Sequence, residues 1–334
     1  MKYPIRMGRL DISNYFSPVA AKLEAVEAEL QRTVSSDVPI VRRLAEHVSK
    51  GGGKRLRPGL VLLACRLCGC ATGEDVRFAA IFELIHTATL IHDDVIDHSA
   101  TRRGRPSLNA AWGNTLSVLF GDFLYLQAVH SALASRSWRM MEILAEVATR
   151  MIEGELVQNE CLYSLDTSRK TYFDILERKT AMLFAACAEC GAVLSGRDDG
   201  ACRKLNAFGL EMGRAFQLMD DLLDYTATSD QMGKPVLSDL REGKLTLPML
   251  ALLERAPNDA KPIVARAWGS DAPISKDDSR QLLALLGRHG CLDEPRELAM
   301  QASRAATASL PDDGDPEITK LLREIPEMLL ERTN

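Results

Sequence analysis

The chain has 334 residues, of which 46% are hydrophobic and 5% aromatic, and its formal net charge is −5. This length allows one large domain with a sizeable core. The acidic balance argues against the nucleic-acid binders, which carry a basic excess, so we expect small molecules and further copies of the chain as partners. The first residues, MKYPIRMGRLDISNYF, lack the apolar run and cleavage site of a secretory signal, which predicts a cytoplasmic protein.

Apolar residues recur at three- and four-residue spacing along most of the chain. In chain order the clearest runs are LEAVEAEL, FAAIFELIHTATLIH, MMEILAEVATRMIEGELVQ and FGLEMGRAFQLMDDLLDY. This spacing places apolar side chains on one face of a helix, and no stretch shows the period-two alternation or the hairpin turns of strands. We therefore predict an all-α protein with about ten to thirteen helices, given usual helix lengths.

Loops rich in glycine, proline and charge separate these helices. They read SKGGGKRLRP, HSATRRGRPS, SGRDDG and TSDQMGKPVLSDLREGK. No repeat or long linker divides the chain, so we predict one domain over 1–334, with the weaker apolar faces beyond residue 255 as a smaller satellite of helices. The longest apolar stretch, 181–196, is too short for a bilayer and carries Glu189, so we expect a buried core helix and no transmembrane segment.

Eight cysteines include two pairs at CxxC spacing, Cys65/Cys68 and Cys187/Cys190, with Cys70 beside the first pair. Such pairs occur in structural zinc sites. Both pairs lie inside helix-patterned apolar segments, however, and free cysteine is a common buried residue. We therefore expect reduced thiols that pack in the core.

Two helices carry aspartates at one-turn spacing, in the segments DDVID and DDLLD. An exposed acidic face would explain either cluster alone. Apolar neighbours such as Ile91, Val95, Leu222 and Leu223 indicate burial, and buried carboxylates need cations. All-oxygen ligands favour Mg²⁺ over Zn²⁺, and two such clusters facing each other would hold a diphosphate between them. The six aspartates are Asp93, Asp94, Asp97, Asp220, Asp221 and Asp224.

Cationic residues lie beside both acidic clusters. A glycine run precedes Lys54, Arg55 and Arg57, which suits close approach of the backbone to an anion. No Ser or Thr follows the lysine, which excludes a nucleotide P-loop. Each cation alone could be a solvated loop charge. The others near the acidic clusters are Arg102, Arg103, Lys179, Lys234 and Lys244.

These segments resemble the trans-type polyprenyl diphosphate synthases. The similarity rests on GGGKRLRP, HDDVID with RRG, GDFL, EGELVQ, ERKTAMLF, GRAFQLMDDLLDY, MGKP and DLREGKLTLP, which follow the family's order between about residues 45 and 255. The resemblance implies a single helical bundle around a central cavity, three Mg²⁺ ions, and elongation of an allylic diphosphate by five-carbon units from isopentenyl diphosphate. It also implies a homodimer, and dimethylallyl, geranyl or farnesyl diphosphate as the primer.

The resemblance assigns roles to individual residues of this chain. It implies that Asp93, Asp97 and Asp220 are the principal metal ligands, supported by Asp94, Asp221 and Asp224. Isopentenyl diphosphate would bind at Lys54, Arg57, His86 and Arg103. The allylic diphosphate would bind at Arg102, Lys179, Lys234 and Lys244, with Thr180 and Gln217 near its reacting end. The residues expected to carry catalysis are Asp93, Asp97, Arg102, Lys179, Asp220 and Lys234.

Product length is expected to depend on Ala88 and Thr89, which precede the first acidic cluster. In the family, bulky aromatic residues here stop growth early, so these small residues imply a long-chain product. The alternative is that they only pack the helix. A channel floor is expected among Met140, Met141 and Leu144.

One segment departs from the family pattern. Leu237 and Ser238 stand where the family often has Gly and Asp, which puts the geometry of that loop in doubt.

Two alternatives are disfavoured by the motifs and two stay open. A class I terpene cyclase would carry an Asn/Ser/Glu pattern in place of DDLLD. A non-catalytic subunit of a two-component synthase would lack an acidic cluster or the glycine-rich cationic segment. A catalytic subunit that needs a second protein, or a shorter-chain synthase, would look the same in sequence.

Overall fold

Helices make up most of the computed structural model, which describes residues 14–70, 72–226, 236–269 and 274–331. A single 3₁₀ turn, Ser17–Val19, leads into the first helix. The first half contains α1 (Ala20–Thr33), α2 (Pro39–Ser49), α3 (Leu56–Leu67), α4 (Glu74–Ile96), α5 (Leu108–Trp112), α6 (Asn114–Ala134) and α7 (Trp138–Glu160). The second contains α8 (Arg169–Leu176), α9 (Met182–Leu194), α10 (Asp199–Thr226), α11 (Ser238–Arg241), α12 (Leu247–Arg255), α13 (Pro257–Trp268), α14 (Lys276–Arg288), α15 (Asp293–Ser309) and α16 (Pro316–Leu330).

The all-α prediction is confirmed, but the expected number of helices was too low. Sixteen α-helices lie within the described residues. The two shortest, α5 and α11, have five and four residues, so they contain little more than one apolar repeat and leave no periodic signal.

The sequence pattern indicated no strands, but the structure has one pair of short strands in the loop after α4. Thr101–Arg102 pairs antiparallel with Arg105–Pro106. The two residues between them, Arg103 and Gly104, have φ values of 53° and 74°. Positive φ at both central residues is the geometry of a tight two-residue hairpin, and the sequence RRG carries only one of the usual turn residues.

Two hydrophobic clusters form the core, and α10 contributes to both. Phe208 and Met212 belong to the first cluster, with α3, α4, α6, α7 and α9. Leu218 and Leu222, two to three turns later, belong to the second, with α12, α13 and α14. The last helix, α16, packs into the first cluster, whereas α13 and α14 belong to the second, so the region expected to form a smaller satellite is divided between the two clusters. The single-domain organisation stays a prediction, which this sharing of α10 supports.

Two glycines on α10 allow this helix to pack closely against the preceding segment of the chain. A Cβ on Gly209 would lie 2.6 Å from the Ala185 Cα, and one on Gly213 would lie 2.6 Å from the Ala181 Cα. Both neighbours are backbone atoms that cannot swing aside. The close approach brings the C-terminal half of α10, with its aspartates, against residues 177–181.

The longest apolar stretch, which we expected to be a core helix, forms the buried helix α9. Among the described residues, α6 is the helix that is long and apolar enough to cross a bilayer, and only a third of its apolar window is buried. Core helices of soluble proteins meet the same criteria of length and composition. Its exposed apolar residues include Leu119, Leu126 and Leu133.

We predict opposite effects of the same substitution at two helical glycines. Gly209→Ala should lower the free energy of unfolding by about 1–3 kcal/mol, because the added methyl group overlaps the α9 backbone. Gly287→Ala, where nothing lies within 4 Å, should raise it by about 0.5–1 kcal/mol. Thermal denaturation measures both. Equal melting temperatures for the two variants would contradict the close approach of α10.

Candidate active site

Two aspartates of the first cluster each meet a lysine from a distant part of the chain. The Lys179 Nζ lies 3.6 Å from the Asp93 Oδ2. The Lys244 Nζ donates to the Asp97 Oδ2 at 2.9 Å. Because α4 ends at Ile96, Asp97 follows the last helical residue, and one turn of spacing keeps it beside Asp93.

The third aspartate of this cluster has a different partner. The Arg102 Nε donates to both carboxylate oxygens of Asp94 at 2.8 Å, and its Nη2 lies 2.6 Å from the Oδ1. Asp94 is buried, so this bidentate pair compensates its charge. Arg102 was expected to bind the allylic diphosphate, and in this structure its guanidinium holds the hairpin to α4. Its role toward a substrate stays a prediction.

In the second cluster, Asp221 accepts two short hydrogen bonds. The Tyr172 hydroxyl donates to its Oδ2 and the Gln217 Nε2 to its Oδ1, both at 2.6 Å. The Thr180 hydroxyl in turn donates to the Gln217 Oε1 at 2.8 Å, which fixes the orientation of the amide. The expected residues Thr180 and Gln217 are thereby linked to the acidic cluster.

Asp224 binds the first turn of α11. Its carboxylate accepts from the Ser238 N–H at 3.0 Å, the Ser238 hydroxyl at 2.6 Å and the Asp239 N–H at 3.2 Å. These are the otherwise unpaired donors at the start of a helix. Asp220 is half-buried.

A cavity of about 170 Å³ lies beside Asp221 of the second cluster. Lys179 and Lys244, which contact Asp93 and Asp97, line it together with Asp221 of the second cluster. The two acidic clusters therefore adjoin one site. Other side chains along its wall are Gln158, Tyr172, Thr180, Gln217 and Asp239.

Burial raises the pKa values of carboxyl groups in this site. It raises the pKa of Asp93 to about 6, although Lys179 acts in the opposite direction. It raises the pKa of Asp221 to about 7, against the hydrogen bonds from Tyr172 and Gln217. Burial lowers the pKa of Lys244, but Glu242 and Asp97 outweigh it and the net pKa is raised, so this ammonium stays charged.

The residues expected to bind isopentenyl diphosphate lie together on another side of the first cluster. The Arg57 Nη1 donates to the His86 Nε2 at 3.0 Å, and its guanidinium covers the Phe184 ring at 4.6 Å. Burial, followed by the charges of Arg57 and Arg103, holds the pKa of His86 well below its usual range. The Arg57 Nε is buried without a hydrogen-bond partner, which suits an anion that accepts from it.

Arg103, at the hairpin turn, approaches the glycine-rich loop. A Cβ on Gly53 would lie 3.0 Å from its Nη1. The hairpin thus brings Arg103 to the loop that carries Lys54. By contrast Arg55, from the same loop, forms ion pairs with Glu27 and Glu83 and holds α3 to its neighbours.

A π-helical turn, Glu177–Ala181, joins α8 to α9 and carries Lys179 and Thr180. Such turns are often found at functional sites, because the extra residue changes where the side chains point. The motif ERKTAMLF carries no sign of this extra residue. A single inserted residue is too small a disturbance for periodicity to reveal.

Leu237, one of the two departures from the family pattern, has a φ of 61°. This left-handed conformation costs a non-glycine residue about 1–2 kcal/mol, which accounts for a glycine being preferred. The Leu237 side chain is fully buried in the second cluster, and burying a leucine contributes about 1.5–3 kcal/mol. The burial offsets the strain, and the backbone still reaches Asp224 through the Leu237 N–H at 3.0 Å.

Several expected site residues have no contact that tests their role. Lys234 lies outside the described residues. Ala88 is buried in the first hydrophobic cluster, as are Met140 and Leu144, and the Thr89 hydroxyl donates to the His86 carbonyl at 2.9 Å. None of these four lines the cavity between the acidic clusters. Among the described residues, no group of three or more His, Cys, Asp or Glu side chains is arranged to hold a metal ion by itself, and the eight cysteines are free thiols.

The sequence analysis missed several residues of the site, among them Glu155, which forms a closer ion pair with Lys179 than Asp93 does, and three that line the cavity. Tyr172 is 49 residues from its partner Asp221, and no spacing rule connects them. Asp239 lines the cavity from the segment DLREGK. Gln158 ends the motif EGELVQ, which offered a signal, and its Nε2 is buried beside the cavity without a hydrogen-bond partner.

We predict that the metal-free protein loses stability as pH rises, because of Asp93 and Asp221. Their pKa values lie above those of the unfolded chain, so the stabilising contribution is present below about pH 4 and is lost through about pH 7. Between about pH 5 and about pH 8, the wild type should lose about 4 kcal/mol more than the Asp93→Asn/Asp221→Asn variant. Thermal denaturation in a metal chelator measures this difference, and parallel pH profiles would refute it.

The chain is similar to known proteins in both sequence and overall structure. Octaprenyl diphosphate synthase of Escherichia coli (strain K12) is 37% identical over 295 residues, which cover 87% of this chain and 90% of that protein. Heptaprenyl diphosphate synthase component 2 of Geobacillus stearothermophilus is 39% identical over 238 residues, covering 71% of this chain and 74% of that one. The crystal structure of a polyprenyl synthase from Caulobacter crescentus CB15, complexed with calcium and isoprenyl diphosphate, has a TM-score of 0.90 at 36% identity and covers 99% of this chain and 100% of that chain.

The match to a family profile extends over most of the chain. Residues 38–286 match the family described as polyprenyl synthetase. That range includes both acidic clusters and every described residue of the cavity wall. The resemblance inferred from the motifs is confirmed: the chain belongs to the polyprenyl synthetase family.

Proposed function

We propose that this chain is a prenyltransferase that condenses isopentenyl diphosphate with an allylic diphosphate to give a long, all-trans polyprenyl diphosphate. The observation that carries the proposal is the meeting of both acidic clusters, through Lys179 and Lys244, at one cavity. The octaprenyl and heptaprenyl synthases among the relatives support a long product. The primer would be dimethylallyl, geranyl or farnesyl diphosphate.

The acidic clusters fit Mg²⁺ that is shared with a diphosphate. Their ligands are all oxygens, and Mg²⁺ is usually held by one or two carboxylates together with water and substrate phosphates. No three-carboxylate site among the described residues is therefore required. Asp93, Asp97 and Asp220 would hold the Mg²⁺ ions, and the family pattern implies three ions. When bound, they would neutralise charge on the departing diphosphate.

The cations of the chain would then bind the leaving group directly. Lys179 and Lys244 lie beside the aspartates in the absence of substrate, and phosphate oxygens would replace the carboxylates as their partners. The allylic C–O bond breaks, its carbon bonds to the terminal alkene carbon of isopentenyl diphosphate, and the proton lost from the adduct goes to the released diphosphate. Thr180 and Gln217 would lie at the reacting end of the allylic diphosphate, where water must be excluded.

The exposed apolar face of α6 fits a second copy of the same chain. Leu119, Leu126 and Leu133 recur every seven residues on α6, and Ile152 and Leu156 of α7 are also exposed. A row of large apolar side chains of this length marks an interaction surface. We propose a cytoplasmic homodimer with this interface.

One relative favours a second candidate. Heptaprenyl diphosphate synthase component 2 carries a name that implies another component. This chain would in that case be the catalytic subunit of a two-protein synthase, and would bind diphosphates but elongate poorly alone.

Activity of the purified chain tests the proposal. It should incorporate labelled isopentenyl diphosphate into long products with Mg²⁺ and an allylic primer, and a chelator should abolish this. Lys179→Gln should lower kcat/KM by about 10²–10³-fold, because a donor to the developing charge is lost. The control Lys320→Gln alters a lysine that is 78% exposed. A folded chain that binds diphosphate yet elongates no primer would favour the two-component reading, and one that binds none would refute the function.

Product length gives a separate prediction. Ala88→Tyr and Thr89→Phe should shorten the product, because each bulky ring would block the channel expected below Asp93. Reverse-phase chromatography of the products measures the chain length. Ala305→Tyr, on the exposed face of α15, is the control. Unchanged lengths in folded Ala88 and Thr89 variants would remove both residues from the channel.

A further inference from the structure

Tyr163 has an unusual backbone conformation in the loop between α7 and α8. Its φ is 58°, in the left-handed region, and its side chain is 55% exposed. A bulky aromatic residue is a clear outlier in this region, and such strain persists only where the surroundings enforce it. The contacts of Tyr163 therefore indicate what the strain serves.

Those contacts are with Gly243, the residue before Lys244. The Tyr163 N–H donates to the Gly243 carbonyl at 2.9 Å. A Cβ on Gly243 would lie 2.9 Å from the atoms of the Tyr163 ring, so the ring lies directly on the glycine backbone. Gly243 also has a φ of 81°, so glycine is required here both for space and for conformation.

Trp268, the last residue of α13, contacts the same turn from another side. Its ring meets the Tyr163 ring edge to face, with the centroids 5.7 Å apart. The Trp268 Nε1 donates to the Leu240 carbonyl at 2.8 Å, and the same carbonyl accepts from the Gly243 N–H at 3.1 Å. The two aromatic residues thus hold both ends of the turn Leu240–Gly243.

This turn sets the position of Lys244. The Lys244 N–H donates to the Asp239 carbonyl at 2.9 Å, and its Nζ reaches Asp97 and Glu242. A lysine has a long, flexible side chain, so a fixed backbone removes part of the freedom that it would lose on binding a diphosphate. Neither Tyr163 nor Trp268 is among the described residues that line the cavity, so neither would touch the substrate.

We propose that Tyr163 and Trp268 are positioning residues for Lys244. They hold the turn Leu240–Gly243 against the C-terminal end of α7, so that the ammonium of the next residue, Lys244, lies where the allylic diphosphate binds. The inference rests on the proposed function. It predicts an effect on the KM for the allylic diphosphate and not on that for isopentenyl diphosphate. Arg57 and His86, which are expected to bind isopentenyl diphosphate, have no contact with this turn.

Steady-state kinetics test the assignment. Tyr163→Ala should raise the KM for the allylic diphosphate by about tenfold, with the KM for isopentenyl diphosphate changed less than twofold. Tyr163→Phe keeps the ring and the backbone N–H and should retain wild-type values. Trp268→Phe removes only the indole donor and should raise the allylic KM by a smaller factor. The exposed Trp138→Ala is the control for loss of a large aromatic side chain.

A double-mutant cycle separates positioning from general destabilisation. In a Lys244→Met background, Tyr163→Ala should have little further effect on the allylic KM, because the side chain that it positions is gone. Fully additive effects, or an equal rise in both KM values, would overturn the proposal.

Hydrogen exchange gives a readout that needs no activity. The amides of Gly243 and Lys244 should exchange faster in Tyr163→Ala than in the wild type or Tyr163→Phe, while those of α9 stay unchanged. Unchanged exchange at these two amides would refute the proposal that Tyr163 positions the turn. A wild-type chain that elongates no primer would instead refute the proposed function and leave this measurement valid.

Discussion

The site depends on the cost of burying carboxylates in an apolar bundle. Asp93, Asp94, Asp97 and Asp221 lie among helices rich in leucine and methionine, where an uncompensated charge is expensive. The chain meets that cost in three ways: a bidentate arginine for Asp94, lysines for Asp93 and Asp97, and hydrogen bonds from Tyr172 and Gln217 for Asp221. Tyr172 and Gln217 line the cavity as the two lysines do, but the lysines are the cations of its wall, so they can exchange a carboxylate for a phosphate.

The fold places these groups by close contacts between helix backbones. Glycines on α10 allow it to lie against the π-helical turn, which aligns Gln217 with Thr180 and Asp221 with Tyr172. The same helix belongs to both hydrophobic clusters. A displacement of α10 would therefore alter both halves of the core and the second acidic cluster together.

The sequence was sufficient for the all-α class, for the acidic clusters and for the cations that meet them, because periodicity and charge are local properties. The pairing of Arg102 with Asp94, and of Tyr172 with Asp221, depends on which way a side chain turns after the helices have packed. The π-helical turn and the left-handed Tyr163 and Leu237 were hidden for another reason. Each is a strained local conformation that distant contacts enforce, so the neighbouring residues carry no sign of it.

The small hairpin after α4 has a consequence for the two arginines that it carries. Arg102 and Arg103 are neighbours in sequence, yet the first is held by Asp94 and the second approaches the glycine-rich loop. Adjacent Cα atoms are about 3.8 Å apart, a separation that covalent geometry fixes. The hairpin thus directs two guanidinium groups whose backbones are one peptide unit apart to separate parts of the site, so a change in its turn would displace both at once.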